Sequence, residues 1–138
     1  MGVVARIETL VEVDDYDDDE PRTMSVSARH EAVLVNGGRF VLLDDRGWSG
    51  SLNRVSAEVP DIWAMTSIQQ IEETARSVVG PDEPFDGRSQ ESMEATHWAF
   101  LSDLLRRQGV VAAASELRRL PHDVDIGARL RARIGRSR

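Results

Sequence analysis

The stretch Met24–Asp45 constrains this chain more than any other. Two alternating arms flank Asn36-Gly37-Gly38, and alternation on both sides of an Asn-Gly turn signals a β-hairpin. On the first arm Met24, Val26, Ala28, His30, Ala32 and Leu34 share one face, because successive strand side chains point to opposite sides. An Asn36-Gly37 two-residue loop would pair Leu34 with Arg39. A three-residue loop with Gly38 in the left-handed position pairs Leu34 with Phe40 and Ala32 with Leu42. The second register matches apolar with apolar and is the expected one. It also sets His30 opposite Asp44 and Arg29 opposite Asp45.

Val3–Val13 alternates in the same way, with Val3, Ala5, Ile7, Val11 and Val13 on one face. It is expected to pair antiparallel with the first arm. Asp44–Ser51, with Trp48 among glycines and serines, reads as an irregular loop in which Trp48 caps the core or anchors a partner. Leu52–Val59 and Ile62–Met65 read as short strands. Thr66 and Gln69 fit a capping box opening a helix with Ile68, Ile71, Ala75, Val78 and Val79 on one stripe, stopped by a left-handed Gly80.

A second helix runs from a Ser89 or Ser92 cap to about Gln108, with Gly109 after it. Met93, His97, Phe100, Leu101, Leu104 and Leu105 form its apolar stripe, flanked by Trp98. A third covers roughly Ala112–Leu120. Asp123 or Asp125 is expected to cap a fourth with Ile126, Leu130 and Ile134 on one face, and His122 reads as a turn residue. Strands first and helices later point to one α+β domain over residues 1–138, mainly β over 1–65 and mainly α over 66–138. It comprises a small antiparallel sheet, an N-terminal β-meander, packed by three to four C-terminal helices.

The charge is unevenly spread. Residues 1–103 hold 21 acids and 8 arginines, and residues 104–138 hold 3 and 9, giving the net −7. Seven of the nine residues Glu12–Glu20 are acidic; like charges this dense favour a solvated connection. Asp14, Asp15, Asp17, Asp18, Asp19 and Glu20 are the candidate contact for a basic partner. The run lacks the glycine turn and distal glutamate of an EF-hand, so no metal is assigned to it. An acidic body with a basic end also suggests a charge match within or between copies, a homodimer being one form.

There is no cysteine, which removes disulfides and thiol chemistry, and every basic residue is arginine, which removes lysine chemistry. Apolar runs are too short to span a membrane, and no signal-like segment follows a basic start; a cytoplasmic location is expected. Glu94-Ala-Thr-His97 has the Glu-x-x-His form of di-iron bundles, but such sites need two motifs. His30 with Asp44 is a candidate orienting pair for a base. Gly37-Gly38 lacks the helix a phosphate loop requires. Arg118, Arg119, Arg129, Arg131 and Arg133 are the candidate anion contacts, although a net acidic chain is repelled from nucleic acid overall.

The expectation is therefore a small acidic cytosolic interaction domain acting by surface complementarity, without a cofactor. Immunity- or antitoxin-like masking of a basic partner is one version. The alternatives are a metal-dependent or hydrolytic enzyme using His30/Asp44 or Glu94/His97, and a nucleic-acid binder through the arginine-rich helices.

Overall fold

The computed structural model describes residues 3–14, 23–51, 62, 66–81 and 86–136. Its elements are β1 (Val4–Val13), β2 (Thr23–Leu34), β3 (Arg39–Ser51), α1 (Ile68–Val78), α2 (Gln90–Arg107), α3 (Ala114–Arg119), β4 (His122–Ile126) and α4 (Ala128–Arg136). The fold is α+β. The four strands form one sheet in the order β3-β2-β1-β4, in which β1, β2 and β3 are antiparallel neighbours and β4 runs parallel to β1. Residues Asp15–Glu20, Leu52–Val59 and Trp63–Met65, each the subject of an expectation above, lie outside the described residues.

The hairpin forms, but its loop closes one residue earlier than the apolar matching suggests. The loop is Val35-Asn36-Gly37, and Gly37 rather than Gly38 takes the left-handed conformation, at φ +90°. The Gly37 amide donates to Leu34 O at 2.9 Å and the Leu34 amide to Gly38 O at 2.8 Å. Asn36 Oδ1 accepts from the Gly38 amide at 2.9 Å, a local bond typical of asparagine in turns. The result pairs Ala32 with Phe40, not with Leu42, and Leu34 with no Phe40 partner.

Two register shifts in β3 then follow. They let the consecutive Leu42 and Leu43 both be buried, at 4% and 7% exposure, while Asp44 and Asp45 both stay exposed. Strict alternation would have buried one of each pair, and bulges relieve that conflict. His30 therefore faces Leu43, not Asp44. Beyond the shifts Ala28 faces Arg46 and Val26 faces Trp48, the register expected from apolar matching. The expected loop at Asp44–Ser51 is the second half of β3. Gly47 belongs there because a side chain would collide with Val26 O of β2.

One sheet face carries Ile7, Thr9, Val11 and Val13 of β1 beside Ala32, His30, Ala28 and Val26 of β2, all nearly inaccessible. These join Ile71, Ala75 and Val79 of the α1 region, Leu101 and Leu105 of α2, Leu117 of α3, and Leu130 and Ile134 of α4 in one core. Burying a side chain of this kind contributes about 1.5–3 kcal/mol. Phe100, placed on the α2 stripe by its spacing, is 50% exposed instead.

The opposite face is charged. Glu8 and Glu31 sit directly across from each other on β1 and β2, and Arg39 Nη1 reaches both, at 2.8 and 3.0 Å. Like charges directly opposite repel; the shared guanidinium is what makes the pair tolerable.

Helix α1 starts at Ser67 and not Thr66. Ser67 Oγ accepts from the Gln70 amide at 3.1 Å, and Gln70 Oε1 accepts from the Ser67 amide at 2.8 Å. The Thr66 hydroxyl is engaged by Ile62 O instead. Gly80 is not left-handed; its amide closes the helix end onto Ser77 O, a short-range closure that needs no positive φ. Gly109, at φ +90°, does end α2, and Ser89 caps its start.

The largest departure lies between α3 and α4. His122–Ile126 is a strand, so neither Asp123 nor Asp125 caps α4. The β1 edge accepts a parallel partner because Asp123 and Asp125 point to the polar face while Val124 and Ile126 continue the apolar one. The cap of α4 comes from Glu12, whose carboxylate accepts from the Leu130 amide at 2.7 Å and the Arg129 amide at 3.3 Å. An anion at a helix N-terminus is stabilising. Gly127 makes room for it, since a side chain there would overlap the Glu12 carboxylate.

Candidate functional site

At one end of the sheet β1 runs out, β2 begins and β3 stops. The Asp14 amide donates to Ser25 O at 3.0 Å, and the Ser25 hydroxyl donates to Asp14 Oδ2. These bonds fix the residue at which the acidic run leaves the sheet. Ser25 in turn faces Ser49. Asp14, Asp45, Trp48 and Ser27 line one hollow there, of about 340 Å³. Trp48 is partly buried and packs on the core.

Ser27 also lines a second hollow, of about 510 Å³, on the polar face, with Leu10, Arg29, Asp44 and Asp125. Arg29 is tied to Glu31 at 2.8 Å and the nearby Glu12 carboxylate is spent on α4, which leaves Asp44 and Asp125 as the outward charges of the rim. The structure thus places Asp14, Asp44, Asp45, Asp125 and Trp48 around two hollows that share Ser27. Asp44, Asp45 and Asp125 were not part of the acidic surface expected from sequence. Asp44 arrives through the β3 bulge, and Asp125 through a strand that the sequence pattern hid.

His30 does not meet Asp44; its strand partner is Leu43. His30 is 1% exposed, and its Nδ1 lies 2.9 Å from Thr9 Oγ1; His122 Nε2 lies 2.7 Å from the same oxygen. The hydroxyl donates one of these bonds and accepts the other, so one imidazole presents a lone pair and the other an N–H. The two rings meet edge-on with centroids 5.1 Å apart. Burial pushes His30 down to about 3, with His122, His97 and Arg46 adding to the effect. Burial also lowers His122, as does Arg76, against a smaller opposing influence of Asp123. His30 is therefore enclosed and kept neutral, and His122, partly exposed, is shifted the same way; the arrangement suits a structural bridge.

His122 is thus a strand residue tied to a core hydroxyl, not a turn residue. A polar residue at the buried position of each of two neighbouring strands, Thr9 and His30, was the available sequence signal for this cluster.

Glu94 is paired with Arg118 at 2.8 Å, and the His97 ring lies edge-on to Trp98. Among the described residues no group of three or more His, Asp or Glu is placed to hold a metal ion. No described helix is long and apolar enough to cross a membrane.

The five candidate arginines have different surroundings. Arg118 and Arg119 line a groove between α2 and α3. Arg131 turns back to Ile126 O, Arg133 is buried at 9% exposure, and Arg129 is exposed at the start of α4. Comparison with known protein families, curated proteins and solved structures gives no match for this chain.

Proposed function

We propose that this chain is a cytosolic protein-interaction domain that engages a basic partner through the acidic end of its sheet. The observation that carries the reading is the hollow shared by Asp14, Asp45 and Trp48. Arg46 lines the same hollow and lies 3.7 Å from Asp45, an exposed pair that a better one replaces; an indole beside carboxylates is the chemistry that receives an arginine or lysine side chain. The acidic run Asp14–Glu20 extends the same charge, and complementary fields of this kind raise association rates and select partners by sign. Masking of a basic toxin or nuclease is the version that suits an acidic, cysteine-free chain.

The test compares wild type with Asp15→Asn/Asp17→Asn/Asp18→Asn/Asp19→Asn and with Trp48→Ala in quantitative pull-downs. Proteins held by wild type should be basic and should be lost from both variants, the tetra-Asn variant losing its salt dependence as well. Retention of the same partners at the same strength by the tetra-Asn variant would end the reading.

A further inference from the structure

The groove between α2 and α3 has a volume of about 540 Å³, with Trp98, Ala95, Ala114 and Ser115 beside Arg118 and Arg119. Both of its charged side chains are cationic, in a chain whose net charge is −7. Arg118 is shared with Glu94, but that pair is solvent-exposed, at 54% and 31% of side-chain area, and such pairs exchange readily for a better one. Arg119 has no carboxylate partner among the described residues.

The chain carries one segment of complementary chemistry. Tyr16 is preceded by Asp14 and Asp15 and followed by Asp17, Asp18 and Asp19. An aromatic ring between carboxylates matches a groove lined by a tryptophan, two alanines and two arginines.

The fold separates this segment from its own groove. Helix α3 leads through Pro121, whose carbonyl accepts from the Ile7 amide at 2.9 Å, so its end lies at the Ile7 end of β1. Asp14 lies at the other end, seven residues on, which in extended chain is about 23 Å. Asp14 and Thr23 are fixed in the sheet, and the eight residues joining them are long enough to reach no more than about 15 Å from that end. That reach falls short of the Ile7 end of the sheet.

We infer that the acidic run Asp14–Glu20 of one molecule docks in the α2–α3 groove of a second copy, Tyr16 against Trp98 and its flanking carboxylates on Arg118 and Arg119. The inference rests on the reading of the acidic run as a contact surface and names a partner for it. Two such contacts made reciprocally close a two-fold dimer. A basic partner that takes the acidic run displaces the second copy.

The experiment is sedimentation equilibrium over a wide concentration range at low salt. It compares wild type, the tetra-Asn variant and Arg118→Gln/Arg119→Gln, with circular dichroism confirming the fold of each. Arg119→Gln alone replaces the double variant if that one does not fold. Wild type should dimerise, raising salt from about 50 to about 500 mM should weaken the dimer steeply, and each variant should dimerise at least about tenfold more weakly.

A charge exchange gives the positive control. Arg118→Glu/Arg119→Glu and Asp17→Arg/Asp18→Arg should each be monomeric alone and associate when mixed. A wild-type monomer throughout, or a groove variant as dimeric as wild type, overturns the inference. The pull-downs separate the two proposals. A monomeric wild type that still loses basic partners on the tetra-Asn change removes the dimer and leaves the function. A salt-sensitive, groove-dependent dimer with unchanged heterologous partners does the reverse.

Discussion

Replacing Thr9 by valine removes one hydroxyl and almost nothing else in volume. That hydroxyl is 2.9 Å from His30 Nδ1 and 2.7 Å from His122 Nε2, so Thr9→Val leaves two ring nitrogens without their bond. Leaving a buried polar group unsatisfied costs about 1–3 kcal/mol. His30 is 1% exposed and bears that cost in full; His122 is partly exposed and recovers part of it by hydrating. The expected loss is about 2–4 kcal/mol, a large share of the roughly 5–15 kcal/mol that holds a domain folded. For a chain of this length that corresponds to a fall in Tm of about 6–15 °C.

Thr9→Ser is the discriminating control, because it keeps the bridge and deletes only a methyl group, at about 1 kcal/mol. Urea and thermal unfolding at pH 7.5 should rank wild type above Thr9→Ser above Thr9→Val. If Thr9→Val is as stable as Thr9→Ser or more so, packing alone matters at this position and the bridging role is wrong.

The same cluster makes the fold acid-sensitive. His30 is held neutral in the folded chain, at about 3 against an ordinary 6.5, while the unfolded chain takes up a proton near 6.5. Its stabilisation is complete above pH 6.5 and declines by about 1.4 kcal/mol per pH unit down to about pH 3. The groups acting on it are His122 from β4, His97 from α2 and Arg46 from β3, and all oppose its charging; His122 shifts in the same direction. Unfolding free energies from pH 7.5 to 5 should fall for wild type and flatten for His30→Gln, and equal slopes would refute the assignment.

Arg39 holds Glu8 below its ordinary range, chiefly by hydrogen bonding. That contribution is present above about pH 4.5 and disappears as pH falls further. Arg39→Gln should move the acid transition to higher pH, and Arg39→Gln/Glu31→Gln should restore part of the difference, both read by circular dichroism during titration. Glu12→Gln weakens the cap of α4 and should cost about 1 kcal/mol. Gly127→Ala should cost more, because it pushes the Glu12 carboxylate off both amides; a smaller loss for Gly127→Ala than for Glu12→Gln would refute that geometry.

Much of this architecture was legible in the chain. Period-two alternation located β1 and β2 to within a residue, and stripes at three- and four-residue gaps located α1 and α2. The order of those patterns indicated an α+β fold, because local hydrophobic periodicity is written into each segment and survives folding. The acidic run and the basic end were plain from counting charges.

What the sequence concealed was whatever depends on a partner distant in the chain. Residues 122–126 have too few apolar positions to declare a strand; they become one because β1 offers a free edge and two matching buried positions, Thr9 facing Val124 and Val11 facing Ile126. The cap of α4 is supplied from 117 and 118 residues away, where no local capping rule can find it. His30 met Thr9 and His122 instead of Asp44, because β3 bulges to bury two adjacent leucines. Short-range periodicity thus determined which segments are strands or helices. Only the folded chain, by balancing burial against unpaired polar groups, decided which hydroxyl, imidazole or carboxylate each of them meets.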